Sequence, residues 1–142
     1  MLADGESVVA CGSIKTSPGP APARLLLIAD ELASILARFS VQEGALEELF
    51  MGRNRTSVIG VAQARGALLL GLARAEVPVF EYKPATVKSI LTGYGMADKA
   101  QLGRMLSLQL RRGEVPGDNH AADAIAIAVC HARSRRLAVM AR

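Results

Sequence analysis

The sequence is poor in aromatic residues, which make up 4% of its 142 residues, and tryptophan is absent. Large rings often supply much of the buried apolar area, so this core must be built from Leu, Ile, Val and Ala instead. Hydrophobic residues still account for 51% of the chain. A chain of this length and apolar content is expected to bury a real core in one domain, which argues against intrinsic disorder.

Cysteine is scarce as well, with Cys11 near one end of the chain and Cys130 near the other. This pattern gives neither a disulfide framework nor the spaced pairs of a zinc site, and it fits the reducing cytoplasm. No uncharged apolar run of about twenty residues occurs, so no membrane span is predicted. The first residues are acidic and polar, unlike a signal peptide. We therefore expect a cytoplasmic protein without a membrane partner.

The charge balance is basic, with 17 Lys and Arg residues against 13 Asp and Glu residues and a formal net charge of +4. A basic surface is compatible with nucleic-acid binding, but many basic proteins bind no nucleic acid. Charge alone therefore permits this function class without selecting it.

Strand-like and helix-like patterns alternate along the chain, which predicts an α/β fold. Short apolar runs between turn residues predict strands over 7–16, 45–50 and 77–82. Apolar residues at helical spacing predict five helices: one with Pro22 in its first turn, one over 57–75, one opening at Pro84, one beginning at Asp98, and a last one that is capped by Asp118 or Asn119 and runs to about Arg136.

The predicted helix over 57–75 is apolar around most of its circumference. A helix of this kind must be covered on all sides, and the domain's own sheet can cover only one of them. Small residues would permit a second helix to approach closely; they are Gly60, Ala64, Ala67 and Gly71. We therefore predict a homodimer that forms through this helix.

The most informative pair of side chains is His120 and Asp123, at the start of the last predicted helix. Residues three apart lie about one turn apart on the same face of a helix, and both side chains can bind a divalent metal. Glu47 adds a carboxylate at the end of a predicted strand. This combination suggests a metal-dependent phosphodiester hydrolase. Helix capping by the pair, and a solvated strand end at Glu47, are the alternative interpretations.

Several short motifs occur in order along nearly the whole chain: Leu46-Glu47-Glu48-Leu49-Phe50-Met51, Gly60-Val61-Ala62-Gln63-Ala64-Arg65-Gly66, Pro78-Val79-Phe80-Glu81-Tyr82, Val87-Lys88, Gly93-Tyr94-Gly95, Asp98-Lys99 and His120-Ala121-Ala122-Asp123-Ala124. Each motif alone is weak, but together they closely resemble the RuvC-type Holliday junction resolvases. The resemblance implies a ribonuclease H-like mixed sheet flanked by helices, a symmetric homodimer, and Mg²⁺-dependent cleavage of two like-polarity strands of a four-way DNA junction.

One feature departs from the family pattern. Members of the family begin with an apolar strand that ends in Asp-Pro-Gly, and the Asp of that strand is a metal ligand. This sequence begins with Met1-Leu2-Ala3-Asp4-Gly5-Glu6, which resembles the end of the family's second strand and the turn after it. We therefore expect residues 1–142 to form a single ribonuclease H-like nuclease domain that is incomplete at its N-terminus.

The resemblance also implies which residues form the site. Glu47, His120 and Asp123 would bind two Mg²⁺ ions, and Mn²⁺ should be able to substitute because an imidazole is a softer ligand than a carboxylate. Lys88 and Lys99 would complete the catalytic set by stabilising charge on the scissile phosphate. These two lysines would also bind DNA, together with Phe50, Arg53, Arg55, Lys83 and Tyr94.

Two other functions remain open at this point. The chain could be a catalytically incomplete dimer that binds junctions without cutting them, or a ribonuclease H-like nuclease that acts on RNA. The resemblance further implies a branch-migration helicase complex as a partner. His131 belongs to none of the motifs and is expected to be a surface histidine near a helix end.

Overall fold

The computed structural model of the chain describes residues 2–3, 7–49, 55–110 and 119–140, without the side chains of residues 2, 3 and 55–57. Its elements are, in order, β1 (Leu2–Ala3), β2 (Ser7–Val8), α1 (Ala21–Arg38), β3 (Gly44–Glu47), α2 (Arg55–Arg74), β4 (Val79–Tyr82), α3 (Pro84–Thr92), α4 (Lys99–Gln109) and α5 (Asn119–Met140). The predicted α/β class is confirmed, and all five predicted helices are present. In this part of the chain, no helix is both long and apolar enough to cross a membrane.

The described strands form two small sheets. In the first, β1 and β2 are antiparallel, and Leu2 lies opposite Val8. In the second, the Gly44 amide donates to the Pro78 carbonyl at 2.8 Å, and the Glu48 amide donates to the Tyr82 carbonyl at 2.9 Å. The donor residue advances by four from Gly44 to Glu48, and the acceptor residue advances by four in the same direction, from Pro78 to Tyr82. Strands β3 and β4 therefore run parallel. Helix α2 connects them, as a parallel pair requires.

The predicted strand over 7–16 is wrong beyond Val8. Residues 9–17 adopt no regular secondary structure, and the side chains of Val9 and Ile14 are 51% and 37% exposed. An apolar run makes a strand only where a neighbouring strand accepts its hydrogen bonds, and β1 pairs with just two residues of this run.

The described residues belong to two compact units. One comprises those within Met1–Ser13, Ala45–Glu48 and Glu81–Arg142, and the other those within Ile14–Gly44 and Leu49–Phe80. The expectation of a single domain over 1–142 stays a prediction.

The core of the first unit lies where α5 packs against α3 and α4. Leu91 from α3, Leu106 from α4, and Val129 and Cys130 from α5 are each no more than 2% exposed. Fully burying an aliphatic side chain of this size contributes about 1.5–3 kcal/mol. Burial also raises the pKa of the Cys130 thiol, an effect that the Ser134 hydroxyl and the charge of Arg133 partly oppose.

The C-terminal end of α3 is held by side chains from the other two helices. Gln109 on α4 donates to the Leu91 carbonyl at 2.9 Å, and Arg133 on α5 donates to the Ile90 carbonyl at 3.4 Å. Gly93 ends the helix at a φ of 76°, a left-handed conformation that glycine adopts without steric cost. These contacts satisfy carbonyls that a helix end leaves without partners.

The second unit is built on the packing of α1 against α2. A Cβ atom added at Gly71 would lie 2.7 Å from the Leu32 side chain, so a glycine at this position allows the close approach. Nothing lies within 4 Å of such an atom at Gly60. On α2, Ile59, Val61 and Leu70 stay 62%, 55% and 54% exposed. The described chain therefore leaves much of this apolar helix uncovered.

Two leucines on α4 test the packing of the first unit's core, because Leu106 is 2% exposed and Leu108 is 80% exposed. We expect Leu106→Ala to lower the free energy of unfolding by about 2–5 kcal/mol, because it removes buried methyl groups and leaves a cavity. Leu108→Ala should change it by less than about 0.5 kcal/mol. Urea unfolding followed by circular dichroism measures both. Equal effects would show that α4 does not pack through Leu106.

Candidate functional site

The first turn of α5 carries His120 and Asp123, and both side chains are exposed. The prediction that the two residues lie one turn apart on a helix is confirmed. Further along the helix, Ala121, Ile125 and Ala126 are 1–2% exposed. The buried face therefore fixes α5 in the first unit, and the exposed start of the helix presents an imidazole and a carboxylate to solvent.

The structure brings Lys99 to the same place. Its Nζ atom lies 3.3 Å from Oδ2 of Asp123, and the two side chains are 60% and 50% exposed. An ion pair this exposed contributes at most about 1 kcal/mol, because water solvates both charges well. Its importance is positional, since it joins the N-terminal ends of α4 and α5. Either side chain can leave the pair at little cost when a ligand arrives.

A capping box fixes the start of α4, where Lys99 is the first helical residue. The Asp98 carboxylate accepts from the Gln101 amide at 2.7 Å, and the Gln101 side chain accepts from the Asp98 amide at 3.0 Å. This reciprocal pair satisfies two of the free amides of the helix. The sequence interpretation missed the role of Gln101, although the spacing Asp98-x-x-Gln101 is a signal for it.

Glu47 is the last residue of β3, and its side chain is exposed, whereas Glu48 is half-buried. This difference agrees with the expectation that the two side chains point to opposite faces of the strand. The hydrogen bond from the Glu48 amide to the Tyr82 carbonyl fixes this end of β3 against β4.

Three more predicted site residues lie in the first unit: Lys83, Lys88 and Tyr94. Lys88 is half-buried on α3, whereas Lys83 is exposed just before that helix. Tyr94 is 62% exposed in the turn between α3 and α4. Its amide donates to the Thr92 hydroxyl at 3.1 Å, and the same hydroxyl donates to the Lys88 carbonyl at 2.8 Å. The turn is thus held while the tyrosine ring faces solvent.

Three predicted DNA contacts cannot be placed in the same way. Phe50 and Arg53 lie outside the described residues, and Arg55 is described by its backbone alone, at the start of α2. Their roles stay predictions.

The donor chemistry of Glu47, His120 and Asp123 suits a divalent cation, because carboxylates and an imidazole are common ligands of such ions. Among the described residues, however, no three His, Cys, Asp or Glu side chains are grouped closely enough to hold a metal ion. The ligand set therefore stays a prediction.

The prediction for His131 is wrong. This residue is 8% exposed and lies within α5, nine residues before the end of the helix. Its Nδ1 atom is 2.8 Å from the Tyr82 hydroxyl, and the two rings meet edge-on, with centroids 5.8 Å apart and planes inclined at 64°. The partner is 49 residues away in the sequence, so no local pattern could reveal it.

Comparison with solved structures places the chain among ribonuclease H-like α/β proteins. It superposes on "T. thermophilus RuvC in complex with Holliday junction substrate" with a TM-score of 0.83 and 38% identity, over 88% of this chain and 76% of that one. A second solved structure, "Thermus thermophilus RuvC structure", gives a TM-score of 0.80 at the same identity and coverage.

Comparison of sequences agrees with the structural match. The family model "Crossover junction endodeoxyribonuclease RuvC" matches residues 2–131. The protein of that name from Roseiflexus sp. (strain RS-1) is 46% identical over 125 residues, which cover 87% of this chain and 74% of that protein. The one from Thermotoga petrophila is 48% identical over 130 residues, which cover 89% and 79%. The chain belongs to the RuvC family of crossover junction endodeoxyribonucleases, and the predicted resemblance is confirmed.

Two substitutions at the start of α4 distinguish the stabilising effect of the capping box from that of the ion pair. We expect Asp98→Ala to lower the free energy of unfolding by about 1 kcal/mol, because the substitution leaves the Gln101 amide without its carboxylate partner. Lys99→Gln should lower it by less, since the ion pair with Asp123 is exposed. Urea unfolding of both variants measures the difference. A larger loss for Lys99→Gln than for Asp98→Ala would contradict this ranking.

Proposed function

We propose that this chain is a structure-selective endonuclease that resolves four-way DNA junctions by paired, metal-dependent nicks during homologous recombination and DNA repair. The observation that carries the proposal is the match, with a TM-score of 0.83, to a RuvC protein solved in complex with a Holliday junction substrate. The family match over residues 2–131 supports the same enzyme class, a hydrolase that acts on DNA.

The proposed site uses Glu47, His120 and Asp123 as cation ligands. Their support is that all three side chains are exposed and belong to the same compact unit. We propose Mg²⁺ as the working ion, two per site, with Mn²⁺ able to substitute. Bound divalent cations would supply an activated water and stabilise charge on the attacking and leaving oxygens.

The lysines would act on the DNA phosphates. The ammonium group of Lys99 lies 3.3 Å from the Asp123 carboxylate, which supports a role for it at a scissile phosphate. Lys88 and the exposed Lys83 lie on or beside the neighbouring α3. Cations at these positions would neutralise backbone charge, and junction binding should therefore weaken steeply as salt concentration rises.

The proposal includes a homodimer, because two symmetric nicks need two sites at a fixed separation. The exposed apolar side chains of α2 support it, as does a groove of about 600 Å³ between α1 and α2. Leu26, Leu70 and Ala67 are among the residues that line this groove. A branch-migration helicase complex as partner, and action in the cytoplasm, follow from the family resemblance alone.

The first functional prediction concerns Asp123→Asn. This change removes a carboxylate charge while leaving the basic surface intact, so we expect cleavage of a synthetic mobile junction to be lost and junction affinity to stay within about threefold. Cleavage is measured on labelled strands in Mg²⁺ and in Mn²⁺, and affinity is measured by mobility shift.

Each outcome of that experiment selects a function. Retained cutting by Asp123→Asn would contradict the ligand assignment. Junction binding without cleavage by the wild-type chain would support the binding-only alternative. Faster cleavage of an RNA-containing duplex than of the junction would support a nuclease that acts on RNA.

The dimer is tested by two substitutions at equally exposed positions, since Ile59 on α2 and Leu137 on α5 are each 62% exposed. We expect Ile59→Glu to convert the protein to a monomer, because it would bury a charge in the apolar interface. Leu137→Glu should leave the mass unchanged. Sedimentation at micromolar concentration measures both masses, and a monomeric wild-type protein would refute the dimer.

A further inference from the structure

The site residues of the first unit are carried by separate elements, with Glu47 on β3 and Asp123 on α5. Apolar packing fixes α5 in the unit, but the hydrophobic effect is non-directional, so a directional contact can still refine the position of the helix. A hydrogen bond is directional, so a buried one between the two elements would set their relative position more sharply.

Tyr82 provides that connection from both of its polar groups. Its backbone carbonyl accepts from the Glu48 amide at 2.9 Å, next to Glu47. Its phenol hydroxyl lies 2.8 Å from Nδ1 of His131 on α5. One residue at the end of β4 therefore joins the strand that carries one site carboxylate to the helix that carries the other.

This link is shorter than the contact from Arg133 and better shielded than the Lys99–Asp123 ion pair. Tyr82 packs against the hydrophobic core, and His131 is 8% exposed, next to the fully buried Cys130. The Lys99–Asp123 ion pair is exposed, and the contact from Arg133 to the Ile90 carbonyl is longer, at 3.4 Å. A shielded hydrogen bond is electrostatically stronger than an exposed one, because the local dielectric is lower.

Either neutral tautomer of His131 supports the link. With the proton on Nε2, the phenol donates to Nδ1; with the proton on Nδ1, the ring donates to the phenol oxygen. His131 lies eight residues after Asp123 on the same helix, about 12 Å along its axis. It is therefore too far along the helix to act at the site directly, and it can affect Asp123 only by placing α5.

We infer that Tyr82 and His131 are positioning residues for junction cleavage: their hydrogen bond sets the place of α5, and hence of Asp123, relative to Glu47. This inference rests on the proposed nuclease function. A small displacement of a reacting group is sufficient to slow chemistry by about 100-fold, while the basic surface that binds DNA would be unchanged. The link should therefore affect kcat rather than KM.

The test compares three substitutions. Tyr82→Phe removes only the hydroxyl oxygen, and we expect it to lower kcat about tenfold while KM stays within about twofold. His131→Leu should do the same. His131→Asn, which keeps a hydrogen-bonding group near the Nδ1 position, should restore much of the loss. The double variant Tyr82→Phe/His131→Leu should be no slower than the slower single variant, because each single change already breaks the same hydrogen bond.

A general loss of stability is controlled with Leu106→Ala, which weakens the same core without touching the link. All variants are assayed at a temperature at which each is folded, and Leu106→Ala should then cleave at close to the wild-type rate. Exchange of the Glu48 amide with deuterium, followed by NMR, gives a readout that needs no metal. We expect this exchange to be faster in Tyr82→Phe than in the wild-type protein.

Wild-type kcat in Tyr82→Phe, or an equal loss in Leu106→Ala, would overturn the inference. If the wild-type chain cleaves no junction, the proposed function fails on its own. The exchange measurement then still tests whether the Tyr82–His131 hydrogen bond holds α5 and β3 together. Unchanged exchange of the Glu48 amide in Tyr82→Phe would show that it does not.

Discussion

The arrangement of the first unit depends on the packing of α5 against α3 and α4. Ile125, Val129 and Cys130 on α5 are each no more than 2% exposed, and they meet Leu91 and Leu106 in one hydrophobic cluster. The chain has few aromatic residues, and this contact is made mainly by aliphatic side chains and a thiol. The exposed first turn of α5, with His120 and Asp123, is thereby held in a fixed place.

Polar contacts add direction to this packing. The capping box of α4 fixes the helix end that presents Lys99, and the ion pair with Asp123 joins that end to α5. On the strand side, the Tyr82 carbonyl holds the end of β3. The positive charge of Lys99 thus lies next to a carboxylate proposed to bind cations.

The sequence predicts what depends on local patterns. Helical spacing of apolar residues located the five helices, and strand alternation separated Glu47 from Glu48. Predictions from the sequence fail where the local structure depends on residues that are far away along the chain. The strand predicted over 7–16 ends at Val8 because β1 pairs with only two of its residues. The prediction of a surface position for His131 is wrong, since the residue is buried and its hydrogen-bond partner, Tyr82, lies 49 residues earlier. The contact between Lys99 and Asp123 was equally invisible, although the family resemblance placed both residues in the site.

We propose that Glu47 and Asp123 bind the same cation and that Lys99 lies beside it. Titration of the protein with Mn²⁺, followed by the paramagnetic broadening of its amide NMR signals, tests this claim most directly. We expect the amides of these three residues to broaden first and together, and we expect Asp123→Asn to raise the Mn²⁺ concentration needed. Broadening centred elsewhere, or broadening at Asp123 that leaves Glu47 unaffected, would contradict it.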